Sequence, residues 1–235
     1  MHDMIRKHLF VLFVSLLWVS SCSSTPSLPL LAELLQNPPA YSQPMVAFFY
    51  RDEQGARLVS HISVSSERPV PLDLPTQQVW LGGLDPPPEL VIREVDGVQY
   101  GLVIAQGVWR SAGNYGPGGA WLYTIETPSL RPFNLVEVEL KQLLADNRYD
   151  GQVVKTKAAL LISSSTSLLV DLIGPGGVPA ANAYQIKLRN GDRDQAALAR
   201  LQVSGAVRYG YVEVIGLWKR GHLEPLLISP LPQAP

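Results

Sequence analysis

The sequence predicts a mostly β protein made of two small barrels in tandem, related by internal duplication and each preceded by a short helix. Three observations lead there. The phrase YGLVIAQGVW at Tyr100 returns as YGYVEVIGLW at Tyr209. A second pair, LAELLQN from Leu31 and LKQLLAD from Leu140, lies at the same spacing of 109 residues, each followed by a tyrosine, Tyr41 and Tyr149. Within the repeated phrase, Gly101, Val103, Gly107 and Trp109 match Gly210, Val212, Gly216 and Trp218. All four share one parity in each copy, so on a strand they project to one face. The duplicated unit of about 100 residues has the size of a small domain.

The elements follow in order in the second copy. Val138–Ala145 is apolar at helical spacing, and strands are expected near Gln152–Ile162 and Ser167–Leu172, joined by the polar turn of Ser163–Ser167. A GPGG turn at Gly174–Gly177 precedes a strand near Tyr184–Leu188, and Asn190-Gly191 makes the next turn. Asp194 is placed to cap a short helix over Gln195–Leu201 with its carboxylate. Strands near Tyr209–Trp218 and Leu223–Ile228 close the unit. Glycines inside the repeated strand predict a bulge or tight bend at a barrel corner.

Five strands with a helix between the third and fourth resemble the oligonucleotide/oligosaccharide-binding (OB) fold, a small Greek-key barrel. YDGQVV at Tyr149–Val154 is similar to the opening of strand one in secreted members of that superfamily, and VRYGYVEVIG from Val207 to their strand four. The first copy departs from the pattern. Its run GGLDPPPELVIREVDG leaves little room for the helix, so an open or irregular barrel is expected there. A single β-sandwich of about ten strands is the alternative that the same turn spacing permits.

At the amino terminus, Arg6 and Lys7 precede an uncharged run from Leu9 to Ser20, the layout of a secretory signal. Val19-Ser20-Ser21-Cys22 then resembles the lipobox of bacterial lipoproteins. That resemblance implies cleavage before Cys22, lipidation of its thiol, and membrane attachment through the lipid anchor. Ser23 after the cysteine implies an outer-membrane location facing the periplasm if the cell has two membranes. An ordinary cleaved signal with an incidental cysteine is the plainer alternative. The organisation read from the chain is a signal peptide over 1–21, a tether over 22–28, repeats over 29–127 and 138–231 joined by a linker over 128–137, and a tail over 232–235. Cys22 is the only cysteine, so no internal disulfide is expected.

Composition is that of a globular chain, 46% hydrophobic, with a formal net charge of −1 that argues against a nucleic-acid partner. His61 and His222, the histidines beyond the signal, lack companions at metal-ligand spacing and are expected to face solvent. Neither a metal nor a cofactor is expected. Asn190–Asp194 has oxygen ligands at alternate residues, but the glycine and glutamate that a calcium loop needs are replaced by Gln195 and Leu201. The glycine-rich loop Gly113–Gly119 lacks the Lys-Ser/Thr of a phosphate cradle. Read as a mobile hairpin loop, it makes Tyr115 and Trp121 the candidate ligand contacts.

The expected function is therefore a lipid-anchored, non-enzymatic binding or scaffolding module for an envelope protein or glycan. The rival is an envelope hydrolase acting on glycan or peptide, with Glu89 and Glu94 or Asp192 and Asp194 as its acids. The first repeat, 29–127, carries five arginines against ten carboxylates, a net of −5; the second, 138–231, carries eleven basic against eight acidic residues, a net of +3. Opposite charge and a short proline-containing linker predict that the repeats dock. Replacing Cys22 with alanine should block lipidation and signal processing together; mass spectrometry of the mature amino terminus reads both.

Overall fold

The run Met-Val-Ala-Phe-Phe-Tyr at Met45–Tyr50 is apolar at both parities, the pattern of a strand buried on both faces. In the computed structural model, which describes residues 27–232, these six residues form the start of β1 (Met45–Asp52) and all are buried. Met45, Ala47 and Phe49 line the interior of one barrel. Val46, Phe48 and Tyr50 point the other way, into a second apolar cluster.

α1 (Leu31–Leu34) precedes β1, and β2 (Gly55–Val59) returns beside it. β3 (Ile62–Ser63) and β4 (Val70–Pro71) form a small hairpin in the next connection. β5 (Val79–Gly82), β6 (Arg93–Val95), β7 (Val98–Trp109) and β8 (Tyr123–Pro132) complete the first unit. β9 (Val136–Glu137) and α2 (Leu140–Ala145) lead into β10 (Val153–Ile162), β11 (Ser167–Val170) and β12 (Gln185–Leu188). α3 (Gln195–Ala199), β13 (Gln202–Ser204), β14 (Val207–Lys219) and β15 (His222–Pro230) follow.

Each unit is a closed five-stranded barrel. The first runs β1-β2-β5-β8-β7 and closes where β7 pairs with β1; the second runs β10-β11-β12-β15-β14 and closes where β14 pairs with β10. Counting only barrel strands, both have the order 1-2-3-5-4-1, with strands three and five parallel and the other pairs antiparallel. That is the OB-type Greek-key barrel. The duplication extends to the plugs. Leu31 and Leu34 of α1 are buried in the first interior, and Leu140 and Leu143 of α2 in the second.

The first barrel is closed, where an open or irregular one was expected. Met45–Arg51 pairs residue for residue with Gln99–Ala105. No helix separates its third and fourth strands. Leu90, in a turn closed by its amide on the Pro87 carbonyl, and the half-buried Leu84 and Ile92 pack on the interior instead. In the second barrel that place is held by Ala197 and Leu198 of α3. β8 continues to Pro132, past the expected repeat boundary at 127, because Pro132 sits opposite Val103.

Glycine at the repeated positions is explained by close approach. The β7–β8 pairing is shifted between Gln106 and Val108, and the β14–β15 pairing beside Gly216. A Cβ on Gly107 would collide with Ile125 Cγ2, and one on Gly216 would stand 2.6 Å from the Glu224 carbonyl oxygen. The two tryptophans two residues further on have diverged. Trp218 is 3% exposed inside the second barrel, whereas Trp109 is half-buried at the edge of the first, meeting Tyr123 edge-on at 6.1 Å. The matched tyrosines diverge further, since Tyr149 is in the core and Tyr41 is 68% exposed.

Trp218→Ala should therefore cost about 3–5 kcal/mol, the range for emptying a buried tryptophan site. Trp109→Ala should cost roughly half as much, because less area leaves the interior. Urea unfolding of both variants at neutral pH measures the difference.

Candidate functional site

The polar centre of the molecule lies where the two barrels meet. Asp73, between β4 and β5, has a side chain only 3% exposed. Its Oδ2 accepts from the backbone amides of Ser60 (2.6 Å) and His61 (2.9 Å). Its Oδ1 accepts from His61 Nδ1 (2.9 Å) and from Arg193 Nη2 (2.9 Å), which reaches across from the second barrel. Arg193 Nη1 also stands 3.1 Å from His61 Nε2. Beside it, Asp194 Oδ1 caps α3 through the Ala197 amide (3.0 Å) and accepts from Ser63 Oγ of the β3–β4 hairpin (2.8 Å). A carboxylate with several donors and a forked guanidinium is the arrangement that offsets the cost of burial.

This cluster corrects the expectation that both histidines face solvent. The His61 side chain is 14% exposed and held at both ring nitrogens, and His222 is half-buried, 3.4 Å from Glu224. A His–Asp pair resembles part of a hydrolytic triad, but the ring nitrogen that would activate a nucleophile faces Arg193. The suggested acid pairs are not assembled either. Asp194 turns inward as a cap while Asp192 is exposed, and Glu89 and Glu94 both stand in solvent. Among the described residues no group of three or more His, Cys, Asp or Glu is placed to hold a metal.

The glycine-rich loop is tied down rather than free. The Gly113 amide bonds to the Leu122 carbonyl (2.9 Å), Tyr115 and Trp121 exchange backbone hydrogen bonds, and Pro117–Gly119 forms one 3-10 turn. Trp121 is 3% exposed, its indole stacked on Trp80 at 4.6 Å and donating from Nε1 to Gln78 Oε1 (3.2 Å). The Trp121 ring is thus covered by the protein itself, where the sequence placed it as a candidate ligand contact. Tyr115 is half-exposed, and its hydroxyl donates to the Ser111 carbonyl (2.8 Å).

Under this loop lies Arg57, a buried side chain that the sequence reading counted only as charge. Its guanidinium donates twice to Asp52, at 2.8 and 2.7 Å, and lies 4.6 Å from the Tyr50 ring centre and 5.7 Å from that of Trp121. Burial alone would raise the Asp52 carboxyl; the hydrogen bonds and charge of Arg57 outweigh it and hold Asp52 below the ordinary range. The two residues flank the tight turn between β1 and β2, a spacing that could have signalled the pair.

Open space suited to a ligand lies along the seam. A groove of about 390 Å³ is floored by Phe48, Tyr100, Ile215 and Leu227, residues of both barrels, and walled by Phe133 and Leu135 of the connection between β8 and β9. Arg93 and Asn134 also line it. A second groove of about 300 Å³ shares Phe133 and Asn134 and extends to Ser27 and Leu28. Neither is lined by a carboxylate. Tyr115, Glu89, Glu94 and Asp192 line neither groove.

Asp73→Ala should destabilise the protein by about 3 kcal/mol, because it strands Arg193, His61 and two amides. Arg193→Ala should cost only about 1 kcal/mol, its side chain being 38% exposed; urea unfolding at pH 7 separates them. With its folded pKa depressed, Asp52 contributes stability that is complete above about pH 5 and lost as pH falls through the folded value, below about 3.9. Asp52→Asn should accordingly lose less stability than wild type between about pH 5 and pH 2, read from acid unfolding curves. Comparison with protein-family models, curated proteins and solved structures returns no match.

Proposed function

We propose that this protein is a lipid-anchored component of a bacterial cell envelope that acts as a non-enzymatic binding module, with the seam between its barrels as the binding surface. The observation that carries the reading is the seam groove: concave, mostly apolar, of ligand-site volume, with a few polar groups at hand. It is formed jointly by both barrels and their connection, so it exists only while they stay together. The polar cluster of Asp73, His61 and Arg193 supports that role by tying the barrels at a second point.

Anchorage rests on Val19-Ser20-Ser21-Cys22, with Ser23 favouring the outer membrane, facing the periplasm, in a cell with two membranes. These residues lie outside the described part of the chain. Scaffolding of an envelope protein or glycan fits the same surface. The envelope hydrolase has one observation in its favour, the His61–Asp73 pair beside a cleft of about 360 Å³.

Affinity capture from membranes with the native anchored protein, compared with its Leu135→Asp variant, tests the proposal. A defined protein, lipid or glycan retained by wild type and lost from the variant is the expected result. Cleavage of envelope glycan or peptide by wild type that disappears in His61→Ala would replace the binding module with the hydrolase.

A further inference from the structure

We infer that the seam groove takes an acyl chain of an anionic membrane lipid, an assignment that rests on the binding role proposed above. Its walls are the first reason. Phe48, Phe133, Leu135, Ile215 and Leu227 offer apolar surface with few hydrogen-bonding groups, which suits methylenes and would leave most hydroxyls of a sugar unpaired. Val91, 81% exposed at the lip, extends that surface outward.

Charge is the second reason. Arg93 lines the groove, is exposed, and makes no ion pair among the described residues. No carboxylate lines this groove or the adjoining one, although the first repeat as a whole carries an excess of acidic residues. A carboxylate or phosphate head at the mouth would therefore meet a guanidinium and no opposing charge.

Position is the third. The adjoining groove reaches Ser27 and Leu28, where the described chain begins. Cys22 lies five residues before Ser27, a span of at most roughly 17 Å. An anchor at Cys22 holds that end of the seam beside the headgroups, so a lipid entering the groove crosses little water.

The test uses the chain from Ser23 onward, the mature chain without its lipidated residue, which keeps every residue of both barrels, with 11-dansylundecanoate as a fluorescent probe. Saturable binding is expected, with displacement by palmitate and lysophosphatidylglycerol, and with competitor affinity rising roughly two- to fourfold per added methylene until the groove is full. Arg93→Gln should weaken these anionic ligands roughly three- to tenfold while leaving a neutral monoacylglycerol unchanged. Leu135→Asp should weaken all of them at least about tenfold. Val91→Asp at the exposed lip gives the same reading should Leu135→Asp unfold, as its urea midpoint would reveal.

Absence of saturable binding, or binding indifferent to both groove variants, overturns the inference. If the groove variants still abolish capture of a protein or glycan, the binding-module reading survives that failure; if they affect no capture either, both readings fall together. Binding by the Ser23 chain with none by the lipidated native protein would mean that the anchor's own acyl chain fills the groove, and would overturn the membrane-lipid source.

Discussion

Everything in this structure depends on β1 being apolar on both faces. An isolated antiparallel barrel can give the outer face of each strand to water. Here Val46, Phe48 and Tyr50 occupy that outer face, and exposing them together would create a contiguous apolar patch of the kind that monomers avoid. They are covered by Val153 of β10, Ile215 and Leu217 of β14, and Leu226 and Leu227 of β15. Two barrels with separate interiors thereby share a third core. Ion pairs add little to this association: among the described residues, those that cross between the repeats join Arg193 to Asp73 and Lys219 to Glu33, the latter at 3.9 Å and partly exposed.

The duplication preserved what a closed barrel cannot change and altered what surrounds it. Strand order, the plugging leucines and the close-approach glycines persist because each serves the barrel interior. The connections diverged with the outer faces they cover. In the first repeat the long connection between β7 and β8 returns Trp121 over Trp80 and Arg57. In the second that connection shrinks to Arg220 and Gly221, and the segment between β11 and β12 provides cover, with Ile173 and Ala183 packed on Ala159, Leu161 and Val170.

The difference between local and distant signals explains what could be read from the chain alone. In the second repeat each element is announced by its own residues. Asp194 caps α3 at the Ala197 amide, the serine-rich turn is closed by Ser163 and Thr166, and the five barrel strands fall within a few residues of their expected places, whereas the short β13 (Gln202–Ser204) was not expected. The cluster of Asp73, His61 and Arg193 was not legible, because its arginine lies 120 residues from its aspartate and no short pattern joins them. The burial of Trp121 was not legible for a related reason. A tryptophan after a glycine-rich loop reads alike whether exposed or covered, and only the presence of Trp80 and Gln78 decides. The double-faced pattern of Met45–Tyr50 is also written in the sequence, and it signals that the outer face of the first barrel must be covered, which charge and linker length alone do not say.

The connection between the barrels is also the last wall of the groove, and this couples the proposed binding to architecture. Once β8 runs to Pro132 and β9 begins at Val136, only Phe133, Asn134 and Leu135 remain to cross the seam. So short a span leaves the barrels little freedom to separate. Phe133 and Leu135 pack against the shared core, while Phe133 and Asn134 border both grooves. An occupant of the larger groove must lie along these side chains, and it then touches both barrels and their connection at once. Any ligand seated there binds the docked arrangement in preference to a separated one, and so stabilises the association in proportion to its own affinity. The surface that holds the two repeats together and the surface proposed for a ligand are, on this geometry, two sides of one apolar seam.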